Sequence, residues 1–274
     1  RKKNWNWSVG FNLSHNKNML RKTYNGEDLN DKVLGRPVYG IYTFKDEGIV
    51  QKEEDIPMYL NASGKQIPLY FQSINNPLRV GGRKIKDQNY DGVIDDKDLY
   101  YAGSTLPAVY GGLNSHLEWK GLSFDVLFSY TISRKVMNMY KNSAFTFTKD
   151  FGVIMNYFHA GDFWTTSNRD AKYPSLEFAD KDYVGQFDGN VDSNIENISF
   201  LRLKQLVIGY QIPKNWLKGS FIKDANVYLS GENLFLLTNY SGVDPEIINP
   251  YSGKDDGTQY PLNRKVTLGL NLKF

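Results

Sequence analysis

Apolar and polar residues alternate with a period of two in several long segments. In "WNWSVGFNLSH", Trp5, Trp7, Val9, Phe11 and Leu13 alternate with Asn6, Ser8, Gly10, Asn12 and Ser14, the pattern of a strand with one apolar face. It returns in "LSFDVLFSYTI" through Leu122, Phe124, Val126, Phe128, Tyr130 and Ile132, and in "RKVTLGLNLKF" through Val266, Leu268, Leu270, Leu272 and Phe274. "NVYLSGENLF" carries it through Val227 and Leu229, and "VYGGLNSHLEW" carries it more weakly. "SFLRLKQLVIGYQI" shifts phase near Lys204 and Gln205, which predicts a bulge. Strands are therefore predicted over about 4–15, 109–120, 122–134, 199–212, 224–236 and 263–274. Most run to ten or more residues, against about five or six in soluble domains.

Such alternation suits a half-buried antiparallel sheet or a transmembrane barrel with lipid outside and water or a plug inside. The connections favour the barrel. "EWKGLS" (118–123) is short, whereas the connections 16–108, 135–198 and 237–262 are long and, in a barrel, share the opposite, extracellular side. Short periplasmic turns opposite long external loops are the outer-membrane pattern. Under that topology Trp5, Trp7, Trp119 and Trp216, with Phe274, lie toward the periplasmic ends, where an interfacial aromatic girdle belongs. The predicted fold is thus all-β, an antiparallel transmembrane β-barrel with long extracellular loops. Six strands are too few to close a membrane barrel, and an open edge in lipid leaves backbone groups unpaired. The chain is accordingly expected to be the C-terminal part of a larger barrel, or to assemble with other chains. Phe274, closing an alternating last segment, is the predicted assembly signal.

Composition narrows the function. Lys and Arg number 33 against 30 Asp and Glu, a balance that offers no basic footprint for nucleic acid. Cysteine is absent and the three histidines are widely separated, which excludes thiolate chemistry and leaves no His-based metal site or triad. No HExxH, Ser-His-Asp order or phosphate-cradling glycine loop occurs, so no enzyme activity is expected. The apolar runs are far shorter than a membrane helix, and "RKKNWNW" has no hydrophobic segment behind its charges.

One stretch has ligand spacing. In "DQNYDGVIDDKD", Asp87, Asn89 and Asp91 occupy positions 1, 3 and 5 of an EF-hand-like loop, and Gly92 supplies the turn at 6. The Val93 carbonyl falls at 7, with Asp95 and Asp98 at 9 and 12. Calcium requires hard oxygen ligands in this order. Position 12 departs by one methylene from the usual Glu, and no helical pattern flanks the loop, so a structural calcium clip is expected. The alternative is an ion-free Asp/Asn/Gly turn. Aromatic residues crowd 135–198; Tyr140, Phe145, Tyr157 and Trp164 are candidates for stacking on a substrate, or else they hold the loop together. Asn12, Asn114, His116, Glu118 and Asp125 fall on the polar face and are expected to line the lumen.

Three stretches, "GENLFLLTNYSGVDPE" (231–246), "FLRLKQLVIGYQIP" (200–213) and "DQNYDGVIDDKDLYYAGSTLPAVYGGL" (87–113), resemble the C-terminal part of SusC/RagA-type TonB-dependent transporters of the Bacteroidetes. "HAGDFWTTSNRDAKYPSL" (159–176) is similar to that family's long-loop segment. The resemblance implies a 22-stranded outer-membrane barrel with a plug, energy coupling through the TonB complex, and a SusD-like surface lipoprotein as lid. The implied activity is import of an oligosaccharide or peptide. The competing readings are a soluble, secreted, calcium-stapled β-domain that binds polysaccharide, and a passive structural barrel.

Deleting Phe274, or replacing it with a charged residue, is expected to lower the heat-modifiable, folded fraction in outer membranes more than it lowers synthesis. Folded levels equal to wild type would show that the last strand needs no terminal aromatic.

Overall fold

The alternating segments form six long strands: β1 (Trp5–Ser14), β2 (Val109–Trp119), β3 (Leu122–Asn138), β4 (Ile195–Gln211), β5 (Asp224–Thr238) and β6 (Lys265–Lys273). The computed structural model describes residues 5–29, 32–139, 159–179 and 189–274. The strands hydrogen-bond in sequence order, each antiparallel to the next, and the short strand Lys254–Asp255 runs parallel to the end of β3. β1 and β6 form the outer edges of the sheet.

Register carries the alternation across the whole sheet. Trp7 stands opposite Leu117, Leu117 opposite Phe124, Phe124 opposite Ile208, Ile208 opposite Leu229, and Leu229 opposite Leu268. The adjacent row, on the other face, reads Ser8, His116, Asp125, Val207, Ser230 and Thr267. A slip of one residue anywhere would exchange the faces. Trp5, Trp7, Val9, Phe11, Leu13, Leu229, Leu268 and Leu270 are all exposed on the apolar side. An apolar patch spanning six strands is not a surface that a soluble monomer leaves in water.

Two irregularities interrupt the ladders. Leu203 pairs with Phe128 and Gln205 with Leu127, so Lys204 is inserted against β3; toward β5, where they pair with Phe235 and Glu232, Asn233 and Leu234 face it. This is the phase shift read near Lys204 and Gln205. Farther along, Thr131 pairs with Phe200 but Arg134 with Ile198. Ile132 and Ser133 thus face the single residue Ser199, and Ser133 takes a φ of 55°. β3 and β4 continue past this break, to Asn138 and back to Ile195, beyond the ends that alternation predicts. At the opposite end, Lys120 and Gly121 join β2 to β3 with φ of 49° and 88°, the doubly left-handed turn that suits a twisted hairpin.

The long connection 16–108 contains folded structure that the sequence pattern does not predict. Gly40–Thr43 pairs with Tyr100–Ser104, Asp46–Ile49 with Arg83–Ile85, Met58–Leu60 with Gln66–Pro68, and Tyr70–Phe71 with Val93–Ile94. These strands are too short for a period of two to register. They enclose a core of Val50, Leu69, Phe71, Leu78, Ile85 and Ile94, joined by Val191 from the second long connection. Beside Val191, Asp192 accepts hydrogen bonds from Lys45 Nζ at 2.6 Å, the Asp46 amide at 2.9 Å and the Tyr100 hydroxyl at 2.7 Å. Burial pushes the Asp192 carboxyl up, but these bonds together hold it below the usual carboxylate range.

Trp164 clamps the second long connection to the first. Its ring lies over Gly81, where an added Cβ would come within 2.6 Å of the ring, and its indole N–H donates to Gln51 Oε1 at 3.0 Å. Gly81 also holds a φ of 84°, a conformation that side chains with a Cβ adopt at a cost. Gly81→Val is expected to displace Trp164 and leave the sheet intact. Limited proteolysis should then cut within 159–179 faster than in wild type, with no change in the folded fraction of the barrel.

Candidate functional site

The loop 87–98 is tied to the connection's core by its second half. Val93 and Ile94 pair with Tyr70 and Phe71, and Ile94 is buried in the cluster. Gly92, at φ of 83°, lies under the Tyr59 ring. Asp87 Oδ1 accepts from the Tyr90 amide at 2.7 Å and Oδ2 from the Gly92 amide at 2.8 Å. Asp98 Oδ1 accepts from the Gln88 amide at 2.7 Å and Oδ2 from the Asp95 amide at 2.9 Å. Both carboxylates are buried, 5% and 0% exposed, and among the described residues neither is ion-paired. Burial first, and then the Asp87 charge, pushes the Asp98 carboxyl up despite its backbone donors. The hydroxyl of half-buried Tyr59 is pushed up to about 12 by desolvation and by its hydrogen bond to Asp87.

The remaining candidate ligands point elsewhere. Asn89 Nδ2 donates to Asp91 Oδ2 at 2.8 Å, and Asp91 Oδ1 accepts from the Val93 amide at 3.0 Å. Asp95 caps the turn 96–98 through the Lys97 amide. No group of three acidic or His side chains converges for a metal among the described residues. The loop brings the side chains of Asp87 and Asp98 together in a buried position, and Asn89, Asp91 and Asp95 stabilise its turns.

A second polar centre, which alternation does not reveal, anchors the connection 239–264. Arg202 on β4, 2% exposed, meets Asp244 Oδ1 at 2.5 Å through Nη2 and Glu246 Oε2 at 2.6 Å through Nε. Lys204, the bulge residue, reaches Glu246 Oε1 at 2.5 Å. Asp244 also accepts from the Glu246 amide at 3.0 Å and the Leu262 amide at 3.2 Å. Arg134 on β3 donates to the carbonyls of Thr105 at 2.9 Å and Ile248 at 3.2 Å, joining two connections. The buried Tyr240 hydroxyl donates to Asp255; burial and that carboxylate both raise its pKa. The sequence signal was the "VDPE" stretch (243–246), whose two acids now have partners. Beside this anchor lies a cavity of about 660 Å³ lined by Met139, Ile247, Ile248, Tyr251, Lys254 and Asp256, among others.

Of the substrate candidates, Tyr140, Phe145 and Tyr157 lie outside the described residues. Trp164 is buried, 7% exposed, and its ring serves the clamp on Gly81 rather than an open stacking surface. Asn12, Asn114, His116, Glu118 and Asp125 share the polar face. His116 is flanked by Asp125 at 2.5 Å from Nδ1 and Glu118 at 3.3 Å from Nε2. Phe274 stacks on Phe221, with ring centroids 5.5 Å apart, on the side of the short turns.

No protein-family model matches the chain. It is 30% identical over 284 residues to a TonB-dependent receptor of Formosa agariphila, covering 99% of this chain and 27% of that protein. It is 26% identical over 276 residues to the TonB-dependent receptor SusC of Bacteroides thetaiotaomicron, covering 99% of this chain and 25% of SusC. Among solved structures, the RagAB peptide transporter matches with a TM-score of 0.66 at 23% identity, covering 100% of this chain and 28% of that one. The chain therefore spans about a quarter of the length of the relatives it matches. These relatives are receptors and a transporter, not enzymes.

Removing one partner of a buried ion pair leaves the other charge uncompensated, at roughly 3–5 kcal/mol. Asp244→Leu is therefore expected to release the connection 239–264 while the strands stay paired. Hydrogen exchange should rise across 240–262 and remain slow in β4 and β5; unchanged exchange there would show that Arg202 is not the anchor.

Proposed function

We propose that this chain, a SusC/RagA-type TonB-dependent receptor segment in sequence and fold, supplies strands to an outer-membrane barrel that imports oligomeric nutrients. The observation that carries the reading is the match to TonB-dependent receptors along 99% of the chain. The continuous apolar face supports it, because a lipid-facing band needs the six-strand register seen here. So do the free edges of β1 and β6, which in lipid require further strands of the same barrel. Among the described residues no helix is long and apolar enough to cross a membrane; in this reading the strands cross.

In the whole receptor, a plug fills the lumen, TonB supplies energy and a SusD-like lipoprotein covers the external loops. The cargo is an oligosaccharide or a peptide; the RagAB relative is a peptide transporter. The folded external connections favour an active importer over a passive barrel, since their cores and ion pairs exceed what strand connection needs. Deleting TonB should abolish uptake, and gentle purification should recover a lipoprotein on the external face. Uptake that persists without TonB, by a receptor that purifies alone, would favour the passive barrel.

The loop 87–98 is our candidate calcium clip. The support is the buried carboxylates of Asp87 and Asp98, neither ion-paired among the described residues, within an EF-hand-like spacing. Occupancy requires the side chains of Asn89 and Asp91, now bonded to each other, to turn inward, with the Val93 carbonyl and Asp95 completing the set. Calcium would neutralise the two buried anions and fix the loop against Tyr59. Calcium is expected to slow proteolysis of 58–98, and Asp98→Asn should remove that protection. Equal cleavage with calcium and with chelator would refute the clip.

A further inference from the structure

The outward face is interrupted at the break in the ladder between β3 and β4. Outward positions there are Tyr130 and Ile132 on β3, Leu201 and then Ser199 on β4, and Leu237 followed by Asn239 beyond β5. Two large walls thus flank a floor that narrows from leucine to serine. The result is an open groove of about 520 Å³ whose lining includes Tyr130, Ile132, Ser199, Leu201, Leu237 and Asn239.

Its two ends differ. Toward the sheet centre the walls are apolar and exposed, continuous with the band of Leu229 and Leu268. At the other end the polar groups bond to one another. Ser199 Oγ accepts from the Ser133 amide at 3.1 Å, Asn239 Oδ1 from the Ser199 amide at 2.7 Å, and Asn239 Nδ2 donates to the Asn197 carbonyl at 2.9 Å. These side chains replace the ladder bonds lost at the break, as backbone near hydrocarbon requires.

Height supports a lipid occupant. Ile132 lies ten residues beyond Leu122, about 34 Å at ~3.4 Å per residue. At a tilt of ~40° that rises about 26 Å, close to the ~25 Å of a barrel's apolar band. The groove's polar end therefore sits at the outer interface and its apolar end among the acyl chains of the outer leaflet.

We infer that this groove holds one acyl chain of an outer-leaflet lipid, with the ester end beside Ser199 and Asn239. The inference rests on the membrane reading above. Lipid tails gain no hydrophobic free energy by leaving other tails, so retention comes from packing against Tyr130, Ile132, Leu201 and Leu237. The groove carries no charge, so it selects for a chain rather than a headgroup.

Native mass spectrometry of the full-length receptor in mild detergent tests this. Wild type should retain a lipid adduct, and so should Leu229→Trp, which enlarges the same face away from the groove. Leu237→Trp, which fills it, should lose the adduct; Leu201→Phe, a smaller filling, provides the same test should the first variant fail to assemble. Persistence of the adduct in the filled variant, its absence from wild type, or a lipoprotein-sized adduct would overturn the inference. Recovery of the receptor in the soluble fraction without detergent would instead refute the membrane reading itself.

Discussion

Everything in this chain depends on the parity of its strand pairing. Each row of partners must keep apolar residues on one side over six strands, because side chains alternate strictly and one slip reverses a strand. β4 shows how the constraint is met where the sequence breaks it. Its outward residues are Leu206, Ile208 and Tyr210 on one side of Lys204, and Leu203 and Leu201 on the other. Were Lys204 to take an ordinary place in the ladder, Leu203 and Leu201 would turn to the polar face. The bulge restores the face and places a charged side chain where Glu246 can meet it.

That constraint explains what could be read from the sequence. A strand of ten residues repeats its period five times, so β1, β3 and β6 are visible from Trp5–Leu13, Leu122–Ile132 and Val266–Phe274 alone. The extensions of β3 to Asn138 and β4 back to Ile195 were hidden because alternation stops once the strands leave the apolar layer. There Val136 and Ile198 pack under the loops with Tyr240 and Ile248, and Arg134 points to carbonyls. Those positions answer to local packing, for which no period exists.

The candidate site was legible in one respect and not in another. Ligand spacing identified 87–98 as a distinct unit, and the buried Asp87 and Asp98 are its first and twelfth positions. Spacing could not show that Tyr59, nearly thirty residues upstream, closes over Gly92, nor that Trp164 belongs to a clamp on Gly81. Both contacts join segments distant in sequence. The Arg202–Asp244–Glu246 centre is similar: "VDPE" marks a special stretch, but its cation lies on a neighbouring strand.

The strap 189–194 has a consequence for the order in which the molecule is built. Asp192 closes on Lys45 and Asp46 across separations of 147 and 146 residues, and Val191 completes a core otherwise drawn from 50–94. Contacts of such long range are reached late, since loop-closure entropy opposes them until other structure has brought the ends together. β2 and β3 join through a two-residue turn and can pair early; the first long connection must wait until the start of β4 has been delivered beside it. A polypeptide emerging N-terminus first therefore carries that connection unfinished until residues 189–194 have followed it. The first long connection and the segment 189–194 mature as a single folding unit, gated by the arrival of six residues.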